Sequence, residues 1–75
     1  MASKNFNEVL KNGAYLLGST VDGYVNAPNV PSLEGVLFVK ESWDKHYIQI
    51  YIGIQNNSFH YRTCYGNDWR AWKSL

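Results

Sequence analysis

The stretch Tyr47-Ile-Gln-Ile-Tyr-Ile-Gly-Ile54 alternates with a period of two, the spacing that sends successive side chains to opposite faces of a strand. Ile48, Ile50, Ile52 and Ile54 share one face; Tyr47, Gln49 and Tyr51 share the other. Phe59-His-Tyr-Arg-Thr-Cys-Tyr65 alternates likewise, and Asn56-Asn57 suits a two-residue hairpin turn because Asn tolerates positive φ. That turn predicts the pairs Ile54 with Phe59, Ile52 with Tyr61, Ile50 with Thr63 and Ile48 with Tyr65, all on the apolar face. The isoleucine face is therefore expected to form the core. Tyr47, Gln49 and Tyr51 against His60, Arg62 and Cys64 are expected on the opposite face.

Gly35-Val-Leu-Phe-Val-Lys40 reads as a strand covered on both faces, and Glu41-Ser-Trp-Asp-Lys45 as a polar turn. Ala14-Tyr-Leu-Leu17 is strand-like. Asn5 three residues before Glu8, with Phe6, Val9 and Leu10 at helical spacing and Gly13 beyond, predicts a capped helix of about two turns. So short a helix is marginal alone, so its apolar side is expected to lie on the sheet. From Gly18 to Ser32 the chain collects Gly, Ser, Thr, Asp, Asn and both prolines, a long irregular connection of a kind that is often functional. Gly66-Asn67-Asp68 predicts a turn into Trp69-Arg-Ala-Trp72. A two-residue turn places Trp72 on the isoleucine face; a three-residue turn with a bulge places Trp69 and Leu75 there. In either case the two Trp, three apart in a strand, point to opposite faces. The expected architecture is one domain over residues 1–75, mainly β (small α+β), an antiparallel meander of about four to five strands with one short N-terminal helix.

Composition narrows the function classes. A chain of 75 residues buries only roughly 60% of its unfolded surface, which leaves little room for an enclosed active site. Hydrophobic residues at 45% and charged residues at 17% argue against disorder. A net charge of +1 provides no field for a phosphate backbone, so nucleic acid is not an expected partner. The longest apolar run, Gly35 to Val39, is far short of the roughly 20 residues a membrane helix needs, and residues 1–6 carry no apolar signal stretch. Membrane insertion is not expected.

A single cysteine, Cys64, excludes an intramolecular disulfide and a multi-Cys metal site; no metal and no cofactor are expected. His60 and Cys64 lie four residues apart, about 13 Å at strand rise, too far for a nucleophile and its base. Cys64 reads as a small half-buried residue. Asp22, Glu34, Glu41 and Asp44 sit in separate turns with no cleft to oppose them across the roughly 5–9.5 Å a glycosidase pair requires. No catalytic residue is assigned, and the chain is expected to be non-enzymatic.

The chain is rich in aromatics, with 3 Trp, 6 Tyr and 3 Phe. Phe59, Tyr61, Tyr65 and one of Trp69 or Trp72 are assigned to the core by the alternation. Trp43, Tyr47, Tyr51 and the other C-terminal Trp are left over as material for a contact surface. Trp43 stands apart because it lies among Glu41, Ser42, Asp44 and Lys45, where an exposed ring is costly without a partner. Arg62, with Tyr51 opposite, reads either as a cation–π stack and hydroxyl donor for a ligand or as a structural stack covering aromatic surface. The candidate ligand-binding surface is thus Trp43, Tyr47, Tyr51, His60, Arg62 and Trp72, a mixed aromatic and polar set suited to a glycan or to a subunit interface.

Asn12-Gly-Ala-Tyr15, Asn26-Ala-Pro28, Gly35-Val-Leu-Phe-Val39, the Tyr-Ile-Gln-Ile-Tyr strand, Tyr61-Arg-Thr63 and Asp68-Trp-Arg-Ala-Trp-Lys-Ser-Leu75 follow one another in an order that resembles the pyocin-knob domain. The resemblance runs from about Phe6 to Leu75. That family occurs in tail fibres of R-type pyocins and tailed bacteriophages. The resemblance implies a mostly β knob in a homotrimeric fibre, a virion protein made in the host cytoplasm that acts in adsorption to a glycan or protein receptor on the bacterial surface. Family members carry a shaft ahead of this domain, so an accessory fibre subunit and a C-terminal fragment of a fibre are both implied as settings. The competing readings are a fibre-trimerising spacer that touches no receptor and a carbohydrate-binding module of a secreted hydrolase.

Overall fold

The computed structural model describes residue 1 and residues 3–74. Six strands form one antiparallel sheet: β1 (Gly13–Leu17), β2 (Gly35–Trp43), β3 (His46–Gly53), β4 (Ser58–Tyr65), β5 (Asp68–Trp69) and β6 (Lys73–Ser74). The first five follow one another across the sheet, and β6 returns to pair with β4 beside β5. The mainly β meander expected from the alternation is the fold.

The expected N-terminal helix is one 3-10 turn, Phe6–Glu8. Asn5 caps it as predicted, its side-chain oxygen accepting from the Asn7 amide at 3.0 Å. Glu8 does not close a capping box; its carboxylate accepts from the Ser3 hydroxyl at 2.7 Å. The backbone of Phe6 donates to Val25 and that of Val25 to Lys4, which fixes the entry to the turn, while Val9, at ψ 84, leaves helical geometry and ends it before a second turn forms. Phe6 and Val9 are buried, whereas Leu10 is exposed.

The hairpin between β3 and β4 is two residues out of the expected register. Ile52 pairs with Phe59, Ile50 with Tyr61 and Ile48 with Thr63, and the turn is the four residues Ile54 to Asn57. A shift of two preserves which residues share a face, so the two faces are composed as predicted.

Their roles are exchanged. The buried face is the one bearing Leu17, Leu37, Val39, Gln49, Tyr51, Arg62 and Cys64, while Phe38, Ile48 and Ile52 are exposed on the other. The expectation that the isoleucine face is the core is therefore corrected. The cover on the buried face comes from the 3-10 turn and the connection between β1 and β2, which supply Phe6, Val9 and Leu33 to the core, with Tyr24, Ala27 and Val30 packed against it. The thinnest dimension, 18 Å, fits one sheet plus one layer of cover. The long irregular connection thus supplies part of the cover, with Leu33 in the core and Tyr24, Ala27 and Val30 against it.

Within the sheet, the paired Gly35 and Gly53 let β2, β3 and β4 approach closely. A Cβ on Gly35 would collide with the Ile52 carbonyl oxygen, and one on Gly53 would lie 2.8 Å from the Ser58 hydroxyl and 3.0 Å from the Tyr51 hydroxyl.

Gly66 and Asn67 both have positive φ between the paired Tyr65 and Asp68, the signature of a type I′ two-residue turn. The pairing then shifts by one residue between β5 and β6: Cys64 pairs with Trp69, but Tyr61 pairs with Lys73. This shift brings Trp72 back to the side that Trp69 already occupies. Both rings lie over Arg62, so the expectation that they face opposite ways is corrected; Leu75 lies outside the described residues.

Candidate functional site

Of the six residues expected to form a ligand surface, the structure places five in or against the core. Tyr51 is fully buried, and its hydroxyl donates to the Ser32 carbonyl at 3.2 Å. Burial, with a smaller contribution from Glu34, raises the Tyr51 phenol above its ordinary value. Arg62 is 4% exposed, with its guanidinium carbon 4.0 Å from the Trp69 ring centroid and 4.7 Å from that of Trp72. Desolvation lowers its pKa to about 10. Trp72 packs edge-on against Phe6 and donates its indole N–H to the Asn26 carbonyl at 2.9 Å. His60 is half-buried near Tyr51, and Tyr47 stacks on Trp69 with 6.0 Å between centroids. Desolvation first, then the carboxylates of Glu41 and Asp44, raises the Tyr47 phenol.

These side chains are organised around a buried polar chain. Arg62 Nε donates to Gln49 Oε1 at 2.8 Å, and Gln49 Nε2 donates to the carbonyls of Phe6 at 2.7 Å and Val9 at 3.1 Å. The carbonyls of the first residue of the 3-10 turn and of its C-cap, Val9, thereby both accept from one side chain. Alternation alone put Gln49 and Arg62 on a polar face; they are polar because the cover presents carbonyls to them. Of the two readings open for Arg62, the structural stack is the one the geometry realises.

Trp43 alone among the six is a free surface ring, 74% exposed at the end of β2. It pairs with His46, and His46 pairs with Tyr65, which is 66% exposed. Asp68 pairs with Tyr65 in turn. Trp43, His46, Tyr65 and Asp68 therefore form one row across four strands. With strands about 4.8 Å apart, the three rings cover about 10 Å. The His46 and Tyr65 rings pack edge to face at 4.3 Å.

Local bonds hold the row. The Gly66 amide donates to the Lys45 carbonyl at 3.0 Å, tying together the turns that flank His46 and Tyr65. Lys45 has φ 59, and its amide donates to the Glu41 carboxylate at 3.2 Å. His46 Nδ1 lies 2.6 Å from the Asp44 carbonyl oxygen. A carbonyl only accepts, so Nδ1 carries a proton and Nε2 is the acceptor of the neutral ring. Asp68 bonds loosely to Arg70 at 3.7 Å, both exposed. The row offers flat apolar faces beside a carboxylate and an imidazole nitrogen, able to cover the C–H side of a sugar ring and to accept from its hydroxyls.

His46 and Tyr65 were not singled out from the sequence. Their signal was the hairpin register, and the two-residue error there placed Tyr65 opposite Ile48 instead of His46. Among the described residues no group of three or more His, Cys, Asp or Glu side chains is placed to hold a metal ion, and no helix is long and apolar enough to cross a membrane. Cys64 is a buried free thiol.

No protein-family model, curated protein or solved structure matches the chain.

Proposed function

We propose that this chain is a non-enzymatic knob domain of a phage or phage-like tail fibre, a virion component that contacts the bacterial surface. Its contact is the row Trp43, His46 and Tyr65 with Asp68. The observation that carries the reading is this pair of largely exposed rings, Trp43 and Tyr65, fixed on either side of His46 by strand pairing. A hydroxyl-rich glycan is the ligand class it fits, because aromatic faces and hydroxyl acceptors alternate at about the spacing of sugar rings.

The motifs behind the pyocin-knob resemblance support the reading by meeting in space. Trp69 and Trp72 enclose Arg62, and the Asn26 carbonyl receives the Trp72 indole while its side chain donates to the capping Asn5 at 2.8 Å. In such a fibre the domain is one arm of a homotrimer. The spacer reading draws its support from a different feature, the uncovered isoleucine face.

The test is binding of the labelled domain to a panel of bacterial cells and to an array of cell-surface glycans. Trp43→Ala and Tyr65→Ala are each expected to weaken binding by about tenfold or more, as truncation of aromatic anchors does. Binding of both variants at the parent's level removes the row from the site. A parent that binds neither cells nor glycans leaves the spacer reading in its place.

A further inference from the structure

The face of the sheet opposite the cover is apolar over three strands and part of a fourth. Its rows follow from the pairing. Ala14, Phe38, Ile50 and Tyr61 lie side by side across β1 to β4, and Leu16, Val36, Ile52 and Phe59 form the next row. Leu16 is 79% exposed, Phe38 42%, Ile48 37% and Ile52 40%, and Val36, Ile50, Phe59 and Tyr61 are half-buried. At about 150–200 Å² for each fully exposed large side chain, this face presents about 500 Å² of apolar surface.

That area is what a stable interface between two chains requires. A standard interface buries about 800 Å² per partner, of which about 57% is apolar, or about 450 Å². Among the described residues, the charged side chains at outward positions of the paired strands are Lys40, Lys73 and Asp68; Lys73 ends the first row beside Tyr61, and Lys40 and Asp68 lie outside both rows. A depression of about 350 Å³ lined by Phe38, Ile48 and Ile50, with Lys40 at its rim, gives the face relief beside the first row.

We infer that this face is covered by the same face of another copy of this chain. The sheet has one layer of cover on one side, and two such sheets packed face to face make the second layer at the usual spacing of about 10 Å. A second copy is the occupant the face fits because both partners then contribute the same apolar rows, so no lysine or carboxylate need be stripped of water at the centre. An acidic or basic partner would have nothing to pair with there. The aromatic row at the turn end lies on this same face, one row beyond Lys40, Ile48 and Thr63, so substitutions in the two apolar rows leave its side chains in place.

Sedimentation velocity over a series reaching about 1 mM protein reads the association directly. The parent domain, by itself in solution, is expected to form a dimer reversibly, the state that two identical faces packed on each other close. Ile52→Lys and Leu16→Lys are each expected to raise the dissociation constant by about a hundredfold, because each places a charge inside the contact. Ala14→Lys, at an exposed position of β1 beside Phe38, is expected to act likewise without touching any buried side chain, and circular dichroism checks that each variant is folded. A parent that stays monomeric throughout, or folded variants that associate as the parent does, overturns the inference. Variants that lose association yet bind cells as the parent does uphold the interface independently of the attachment reading, whereas a parent that binds cells but stays monomeric overturns the interface and leaves that reading standing.

Discussion

Arg62 lies over Trp69, its guanidinium carbon 4.0 Å from the ring centroid, and also over Trp72 at 4.7 Å. This contact joins β4 to both short C-terminal strands. Through Gln49, the same side chain reaches the N-terminal turn. A buried cation is costly to desolvate, and here two aromatic faces and one hydrogen bond offset that cost.

Arg62→Ala opens a cavity between two indoles and leaves Gln49 Oε1 without its donor. It is expected to cost about 2–4 kcal/mol in urea denaturation. Arg62→Lys keeps the charge but loses the planar stack, and is expected to cost at least about 1 kcal/mol. If Arg62→Lys is as stable as the parent, charge alone matters and the stack does not.

The exchange of faces has its own signature. Leu37→Ala, at a fully buried site, is expected to cost about 2–5 kcal/mol. Ile52→Ala, on the open face at 40% exposure, is expected to cost less than about 1.5 kcal/mol when measured at concentrations where the chain is monomeric. Reversal of that order in denaturant unfolding would return the core to the isoleucine face.

Gly35→Ala drives a methyl group into the Ile52 carbonyl. Because the obstacle is backbone of the neighbouring strand, the pair must separate, and a loss of about 2–4 kcal/mol is expected from thermal unfolding. Gly18→Ala, where a Cβ meets nothing within 4 Å, is expected to stay within about 0.5 kcal/mol of the parent.

Alkaline titration separates two buried groups of opposite sign. The folded Tyr51 phenol sits above its unfolded value of about 10, so its contribution is complete below that pH and is lost as pH rises through the folded value. Arg62, lowered to about 10, acts the other way: between that value and its unfolded one, the unfolded chain holds more protons, and stability rises with pH. Tyr51→Phe removes the first effect alone. Its unfolding midpoint is therefore expected to fall less than the parent's from about pH 9 to about pH 11. Parallel curves for the two proteins would contradict this.

The strands and the composition of each face were legible in the sequence because alternation with period two is a local property. The β3 to β4 hairpin shows both the strength and the limit. Asn56-Asn57 marked a turn, and Asn57 does have positive φ, but the turn is four residues long and the pairing moved by two. Parity survived, so the faces kept their members, while Tyr65 moved beside His46 and completed the exposed row. The Asn5 cap was legible too, since an Asx side chain bonds the amide two residues on. The length of the helix was not, because the chain leaves helical geometry at Val9, whose carbonyl is taken by the side chain of Gln49, distant in sequence.

By itself the sequence determined a β meander with two faces of known membership, since side-chain direction follows from position along a strand. Only the tertiary structure decided which face is core. Both carry enough apolar residues to be buried, and the choice rests on where the 3-10 turn and the β1–β2 connection land. They land on the face where Gln49 answers the carbonyls of Phe6 and Val9. The one-residue shift between β5 and β6 was equally invisible, and it is what sets two tryptophans on the same arginine. These are contacts between distant segments, and no local pattern encodes them.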